Sequence, residues 1–154
     1  MNDLQLIRDY FKRRSMGISE FGLFEFGIYK SRFDCFLANP HTMKFRGFEF
    51  KVNRVDFLNE IRTGKWKNYL KYCNTFSFVC PPELIAPEEI DAGIGLLWIT
   101  SIGKHYGYGN RRDIPYPIWQ KRPRPLPPIT QERFNEIILL LIGRIKYRKE
   151  DFIL

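Results

Sequence analysis

The sequence has few of the residues that build the commonest metal and nucleophile sites. Its two histidines, His41 and His105, lie far apart in the chain. Two scattered histidines do not suit a zinc site, nor a relay in which histidine activates a serine or cysteine nucleophile. Carboxylates are therefore left as the ligands for any metal ion.

Cysteine is also scarce. Cys35, Cys73 and Cys80 are odd in number, have no C-x-x-C spacing, and lie in or next to apolar segments. This pattern predicts buried, reduced thiols rather than a disulfide framework.

Long apolar runs are missing as well. No stretch reaches the roughly 18 uninterrupted apolar residues that a membrane helix needs. The first residues, Met-Asn-Asp-Leu, lack the basic start and apolar run of a signal peptide. The sequence therefore predicts a cytoplasmic protein with no membrane association.

Positive charge, by contrast, is in excess. The chain has 25 lysines and arginines against 17 acidic residues, a formal net charge of +8. Such an excess favours a polyanionic partner, because basic side chains that neutralise phosphates supply most nonspecific affinity for nucleic acid. Basic patches also serve solubility, so charge alone does not decide the function. A length of 154 residues predicts one domain over 1–154.

One group of polar residues stands inside apolar, strand-like segments. Asp34 closes Ser-Arg-Phe-Asp, and Glu49 and Lys51 alternate with Phe48, Phe50 and Val52. On a strand, alternate side chains share a face, so the phenylalanines and Val52 are expected in the core, with Glu49, Lys51 and Asn53 on the other face. If the segment around Asp34 is the adjacent antiparallel strand, Asp34 and Glu49 can share a divalent cation.

These residue types suit the hydrolysis of a phosphodiester. Two carboxylates can hold a metal ion that acidifies water and clamps the phosphate, and a lysine can stabilise the charge that develops in the transition state. The alternative is that Glu49 and Lys51 form an ordinary solvated ion pair on a strand. Acidic residues inside strands this apolar are costly unless they are paired or bind metal, which strengthens the first interpretation, and the residues alone leave both open.

The hydrophobic pattern predicts a mixed α/β fold. It indicates a helix near Leu4, Ile7 and Phe11 that ends before Gly17, and then strands over 21–29, over 33–38 and around Glu49. Helical spacing follows over 55–62 and, after a break at Thr63 and Gly64, over 65–72, before strands at 75–79 and 94–99. This order predicts an antiparallel meander, a crossover helix and a parallel strand.

Several blocks of the sequence resemble a known family. Asp34 followed by Glu49-x-Lys51 is similar to the motif of the PD-(D/E)XK nuclease superfamily, with Phe33 in place of the usual proline. Glu49-Phe-Lys51-Val-Asn-Arg54-Val-Asp56-Phe57, Lys65-Trp66-Lys67-Asn68-Tyr69 and Phe76-Ser-Phe78-Val79-Cys80-Pro81-Pro82 resemble blocks of its MmcB-like branch of DNA repair proteins. The resemblance covers about residues 20–100.

The resemblance implies a restriction-endonuclease-like core with a mixed central sheet flanked by helices. It implies that Asp34 and Glu49 bind Mg²⁺ or Mn²⁺ and that Lys51 is the catalytic lysine of a deoxyribonuclease. Glu25 matches an early glutamate of the branch that would add a third metal ligand, and Glu20 is the alternative. Asn53 stands where the branch often has serine and could bind phosphate. For Arg54 and Asp56, a structural capping role is the favoured interpretation.

Residues 103–128 differ in character from the rest. The segment is rich in glycine, proline, tyrosine and basic residues, which suits either a surface that binds nucleic acid or a proline-stiffened loop packed on the core; a polyproline II ligand is a third alternative. The residues expected to contact DNA are Arg111, Arg112, Lys121, Arg122 and Arg124.

A final helix is predicted over 130–148. Its apolar stripe includes Phe134, Ile137, Ile138, Leu141 and Ile145, and Leu139, Leu140 and Ile142 widen it. So wide a stripe predicts a helix that is buried or lies at a homodimer interface.

Overall fold

The computed structural model describes residues 2–14, 19–106 and 110–153, without the side chains of residues 14, 104–106 and 110–112. The strands are β1 Phe21–Ile28, β2 Ser31–Asn39, β3 Lys44–Phe50, β4 Thr75–Cys80, β5 Gly95–Tyr106, β6 Asn110–Lys121 and β7 Phe152–Ile153. The α-helices are α1 Asp3–Arg14, α2 Arg54–Thr63 and α3 Gln131–Tyr147, and 3-10 turns occupy Lys65–Tyr72, Pro87–Glu89 and Lys149–Asp151.

The described strands form one mixed sheet in the order β6-β5-β4-β3-β2-β1-β7. The pairs β1–β2 and β2–β3 are antiparallel, whereas β3–β4 and β4–β5 are parallel. The connection from β3 to β4 runs through α2 and the 3-10 helix Lys65–Tyr72. The predicted α/β fold, with an antiparallel meander and a crossover into a parallel strand, is therefore confirmed.

A hydrophobic core lies on each face of the sheet. On one face, Ile7 and Phe11 of α1 pack with Phe48, Phe50 and Leu97. On the other, α2, the 3-10 helix Lys65–Tyr72 and α3 cover the larger core; they contribute Phe57, Trp66, Tyr69, Ile137 and Leu141. The sheet is thus the middle layer of three, as expected for a mixed sheet whose parallel strands are covered on both sides.

The predicted first helix is confirmed, but one of the residues predicted on its buried face is exposed. Ile7 and Phe11 are buried, but Leu4 is 44% exposed and Leu6 packs inward instead. The predicted end near Gly17 lies outside the described residues.

Helix α2 begins and ends at residues suited to those positions. The Asn53 side chain accepts hydrogen bonds from the main-chain N–H groups of Val55 and Asp56, which satisfies two free donors of the first turn. Gly64, at φ 66°, closes the helix in the left-handed conformation that glycine adopts without a steric penalty. The cap is therefore Asn53, not the pair Arg54 and Asp56 suggested by the sequence.

Part of the segment 103–128 is strand where the sequence suggested a loop, while residues 122–128 have no helix or strand. Residues 110–121 form β6, antiparallel to β5, at one edge of the sheet. Proline has no N–H to donate to a neighbouring strand. An edge strand has a neighbour on one side only, so every second N–H points away from the sheet and needs no strand partner. Pro115 and Pro117 are two positions apart and can therefore both lie on that unpaired side. The hydrophobic pattern missed β6 because prolines normally argue against a strand.

Helix α3 extends over the predicted range, and the Thr130 hydroxyl accepts a hydrogen bond from the N–H of Arg133 at its start. Ile137 and Leu141 are buried in the core, but Leu139 and Ile142 are 70% and 53% exposed. The structure contains one chain, so the homodimer remains a prediction. No helix in the described part of the chain is long and apolar enough to cross a membrane.

Candidate active site

Asp34 is held at the point where β2 and β3 separate. The ladder between these strands runs from Asn39 and Lys44 to Cys35 and Phe48 and then ends. Beyond it, the N–H of Phe50 donates to Oδ2 of Asp34 at 2.7 Å. The carboxylate therefore takes the place of a strand partner, which fixes it beside the end of β3.

An irregularity in β1 lies opposite Asp34. Phe24 packs in the α1-side core and Phe26 in the core on the other face, although a regular strand would place both on one face. Glu25, between them, has φ 51°, a left-handed conformation that costs free energy for a residue with a Cβ. Arg148 donates hydrogen bonds to the carbonyl oxygens of Phe24 and Glu25, at 3.0 and 2.9 Å, and so stabilises the altered backbone.

Glu49 and Lys51 lie together at the carboxyl end of β3. Lys51 is anchored through its N–H to the carbonyl of Val79, just before β4 ends, at 2.8 Å. Its Nζ lies 3.4 Å from Oε1 of Glu49, and both side chains are about nine-tenths buried. The expected alternation holds for Phe48 and Phe50, but Val52 is 41% exposed, because the strand ends at Phe50 and Asn53 already caps α2.

A further glutamate completes the cluster. Oε1 of Glu60, on α2, lies 3.2 Å from Nζ of Lys51, and Glu60 is 5% exposed. Sequence reasoning missed this residue. Its burial could have been predicted from its position three residues after the core residue Phe57, because residues three apart lie on one face of a helix. Asp34, Glu49, Lys51 and Glu60 together form the candidate active-site cluster.

The cluster brings together more negative than positive charge. Burial raises the pKa of Asp34, although the N–H of Phe50 and the ammonium of Lys51 oppose the rise. Burial, together with the carboxylates of Asp34 and Glu60, raises the pKa of Glu49 despite its contact with Lys51. For Lys51, burial alone would lower the pKa, but the carboxyl groups of Glu49 and Glu60 have the larger combined effect and raise the pKa of Lys51. Lys51 is therefore a protonated cation near neutral pH.

The donor chemistry of the cluster fits a hard divalent cation. Oε2 of Glu49 is buried and accepts no hydrogen bond from a described residue, and this carboxyl group also contacts that of Asp34. Two adjacent carboxylates with a spare oxygen are the ligand type that Mg²⁺ and Mn²⁺ prefer. In the described part of the chain, no group of three or more Asp, Glu, His or Cys side chains is placed to hold a metal. A two-carboxylate site is therefore what the residues offer.

The two candidates for an early carboxylate lie away from the cluster. The Glu25 side chain is exposed, and no hydrogen bond or ion pair joins it to the cluster within the described residues. Glu20 is buried and pairs with Arg46 at 3.2 Å, nearer the other end of β3. Neither position supplies the predicted third ligand in this structure.

The residues expected to bind nucleic acid have different environments. The Asn53 side chain is occupied as the cap of α2. The Lys121 ammonium donates to the carbonyl oxygens of Ile90 and Asp91, at 2.8 and 3.1 Å, so its donors are partly used within the fold. Arg122 is exposed, with its guanidinium 4.9 Å from the centre of the Trp119 ring, and Arg124 is also exposed. The side chains of Arg111 and Arg112 lie outside the described residues.

A depression of about 300 Å³ gives solvent access to Lys51 and Glu60. Its other lining residues come from the end of β3, from α2 and from the residue after Gly64; they are Phe50, Val52, Asp56, Asn59, Thr63 and Lys65. Lys51 and Glu60 are thus the members of the cluster that border this depression, whereas Asp34 and Glu49 do not line it.

Comparisons with known proteins bear on the fold. No protein-family model matches the sequence, and no curated protein matches it significantly. A solved structure of a protein of unknown function from Silicibacter pomeroyi is similar, with a TM-score of 0.70 and 21% sequence identity, over 97% of this chain and 90% of that chain. This likeness shows that a similar overall fold occurs in another protein.

Proposed function

We propose that this protein is a divalent-metal-dependent nuclease that hydrolyses phosphodiester bonds in DNA. The observation that supports the proposal is the convergence of Asp34, Glu49 and Lys51, from β2 and the end of β3, beside a depression that Lys51 lines. Asp34 and Glu49 are separated in sequence by a turn and most of two strands, so their contact is a property of the fold. A role in DNA repair or recombination rests on the MmcB-like resemblance alone.

In the proposed site each residue has one task. Asp34 and Glu49 would hold Mg²⁺ or Mn²⁺, which when bound would supply an acidified water and neutralise phosphate charge. Lys51, kept protonated by Glu49 and Glu60, would stabilise the charge that accumulates on the phosphate oxygens, and would not act as a base. Glu60 would position Lys51 from α2.

The proposal is tested by cleavage of labelled single-stranded, duplex and branched DNA in Mg²⁺ and in Mn²⁺. Asp34→Asn and Lys51→Gln are expected to lower the rate at least a hundredfold, the lower range for removing a transition-state donor. Glu88→Gln, at an exposed position outside the active-site cluster, is the matched control and should cleave like the parent. Circular dichroism confirms that each variant is folded.

Metal binding gives a readout that does not depend on turnover. In calorimetric titrations with Mn²⁺, Asp34→Asn and Glu49→Gln should lose most of the binding heat. Glu25→Gln should keep it, because that side chain does not join the cluster. Loss of binding in Glu25→Gln would restore Glu25 as a ligand, and unchanged binding in Asp34→Asn would contradict the proposed site.

A noncatalytic module that binds DNA or a partner is the second candidate. It is favoured by the engagement of Lys51 with two glutamates at once, since such a buried network can also serve folding specificity. DNA binding without cleavage on any substrate, in either metal, would favour this module over the nuclease.

A further inference from the structure

We propose that single-stranded DNA reaches the active-site cluster along a basic track formed by Lys30, Lys65, Lys67, Lys71 and Arg133. This inference rests on the proposed function and names the form of substrate for the same site. The track runs over the turn between β1 and β2, the 3-10 helix Lys65–Tyr72 and the start of α3.

Neighbouring depressions along the track are adjacent, because they share lining residues. Lys65 lines both the depression at the active-site cluster and a second one of about 350 Å³ that includes Tyr29, Lys30 and Tyr72. Lys71 lines this second depression and a third of about 520 Å³, which extends to Lys67 and Arg133. A flexible chain that occupies the three depressions in order would therefore end at Lys51.

The charge of the track is of one sign. All five cations are exposed. In the described part of the chain, none of them forms an ion pair, and the second and third depressions are lined by no aspartate or glutamate. Unpaired cations along a groove suit a ligand with regularly repeated negative charge.

Tyr29 supplies the aromatic element of the track. Its ring is 76% exposed and stacks on Tyr72 with 5.8 Å between ring centroids, and the cations of Lys71 and Arg133 lie 5.3 and 5.5 Å from the Tyr72 ring. At φ 51° in the turn, Tyr29 has a conformation that is unfavourable for a bulky side chain. A large exposed ring held at such a cost suits a base-stacking platform better than a folding role.

Stacking on Tyr29 discriminates between forms of nucleic acid. A ring can stack only on a base whose face is accessible, and the bases of a duplex are covered by their neighbours. The floor of the third depression is apolar, with Leu70, Leu126 and Ile129, which also suits unpaired bases more than a duplex backbone. The track therefore favours a single strand, and it places the DNA beside the 3-10 helix instead of along β6, where Lys121 is bonded within the fold.

The test is binding of a fluorescent oligothymidylate, followed by anisotropy in EDTA so that no cleavage occurs. The double variant Lys30→Ala/Lys71→Ala should weaken binding about tenfold. The slope of the logarithm of the binding constant against the logarithm of the salt concentration should become shallower by about 0.7 for each lysine removed. The matched control, Lys146→Ala/Lys149→Ala, removes two exposed lysines outside the track and should bind like the parent. An equal loss in the control would reduce the track to general surface charge and overturn the inference.

Substitutions at Tyr29 test the stacking. Tyr29→Ala should weaken binding about tenfold, and Tyr29→Phe should restore it, because a stacked base contributes about 1–3 kcal/mol. A hairpin duplex should bind less tightly than the oligothymidylate, and polyglutamate should compete poorly. Equal binding of duplex, or equal competition by polyglutamate, would overturn the assignment to single-stranded DNA.

These outcomes are separable from the outcome of the nuclease test. Asp34→Asn should bind the oligonucleotide like the parent while it fails to cleave. If Lys30→Ala/Lys71→Ala binds normally but the parent cleaves DNA in an Asp34-dependent way, the track is wrong and the nuclease stands. If the track is confirmed and nothing is cleaved, the protein is the noncatalytic module.

Discussion

At the scale of single residues, Glu49 has the largest electrostatic cost in the candidate site. Its carboxyl group is buried, contacts Asp34, and has one oxygen without a hydrogen bond from a described residue. A fold gains no stability from such a group unless a cation or proton joins it. This cost is what a metal site requires, since the charge that destabilises the metal-free protein is the charge that binds the ion.

The cost should appear as a pH dependence of stability in the metal-free protein. In the unfolded chain a glutamate has a pKa of about 4.3, whereas burial and neighbouring carboxylates raise the pKa of Glu49 in the folded state. Above about pH 4.3 the folded protein thus holds a proton that the unfolded chain releases, so stability falls as pH rises toward the folded pKa. Glu49→Gln should reduce this fall to the part that Asp34 contributes, because the pKa of Asp34 is also raised by burial, and urea denaturation in EDTA at pH 5 and pH 8 measures the difference. An identical loss of stability in parent and variant would contradict the account.

At the scale of elements, two structural features position the site: the altered backbone at Glu25 and the end of the β2–β3 ladder. Neither could be read from the sequence. The φ of 51° at Glu25 has no local signal, because glycine or asparagine would be the expected residue there. Glu60 was missed for a related reason, since its burial depends on contact with Lys51 across the crossover. The strand that carries Glu49 was predictable because Phe48 and Phe50 alternate with polar residues, and the strand that carries Asp34 because it is a short, mostly apolar run.

Close packing between β1 and β2 predicts a strong effect at Gly22. A Cβ built there would lie 1.9 Å from the carbonyl oxygen of Phe36, a backbone atom that cannot move without displacing β2. Gly22→Ala is therefore expected to lower the free energy of unfolding by about 3 kcal/mol or more, the upper range for overpacking. Gly143→Ala is the matched control: apart from its chain neighbours and the nearby helix backbone, no atom of the described residues lies within 4 Å of a Cβ built there, and alanine in a helix should add about 0.5–1 kcal/mol. Urea denaturation measures both, and equal effects would contradict the predicted clash.

The start of α2 is tied to the segment after β4 by an ion pair. Arg54 forms two hydrogen bonds with Glu89 and one with the carbonyl of Leu84, and Glu89 also accepts from the N–H of Ala86. Hydrogen bonding to Arg54 lowers the pKa of Glu89 to about 2. The pair therefore contributes stability above about pH 4.3, which is lost as pH falls toward 2.

Thermal denaturation between pH 5 and pH 2.5 tests this contribution. The melting temperature of the parent should fall more steeply than that of Glu89→Gln, which has no carboxylate to protonate. The difference should be modest and smaller in high salt, because the pair is exposed to solvent. Parallel curves for parent and variant would show that the pair contributes nothing to stability.

At the scale of the whole molecule, the net charge of +8 becomes informative only through its placement. From the sequence, most of the residues expected to contact DNA lay in the segment 103–128. The structure places residues 110–121 in an edge strand and groups basic side chains from three other segments along one route to the active-site cluster. Sequence spacing could not show this, because Lys30, Lys71 and Arg133 meet only through tertiary packing.

The most direct test of the central claim is the single-turnover rate of DNA cleavage in Mn²⁺, with protein in excess over a labelled oligonucleotide. Parent protein and Lys51→Gln are compared at concentrations where both bind all of the DNA, so that only the chemical step differs. The account predicts cleavage by the parent, at least a hundredfold slower cleavage by Lys51→Gln, and none for either in EDTA. Equal rates for parent and Lys51→Gln, or cleavage that persists in EDTA, would contradict it.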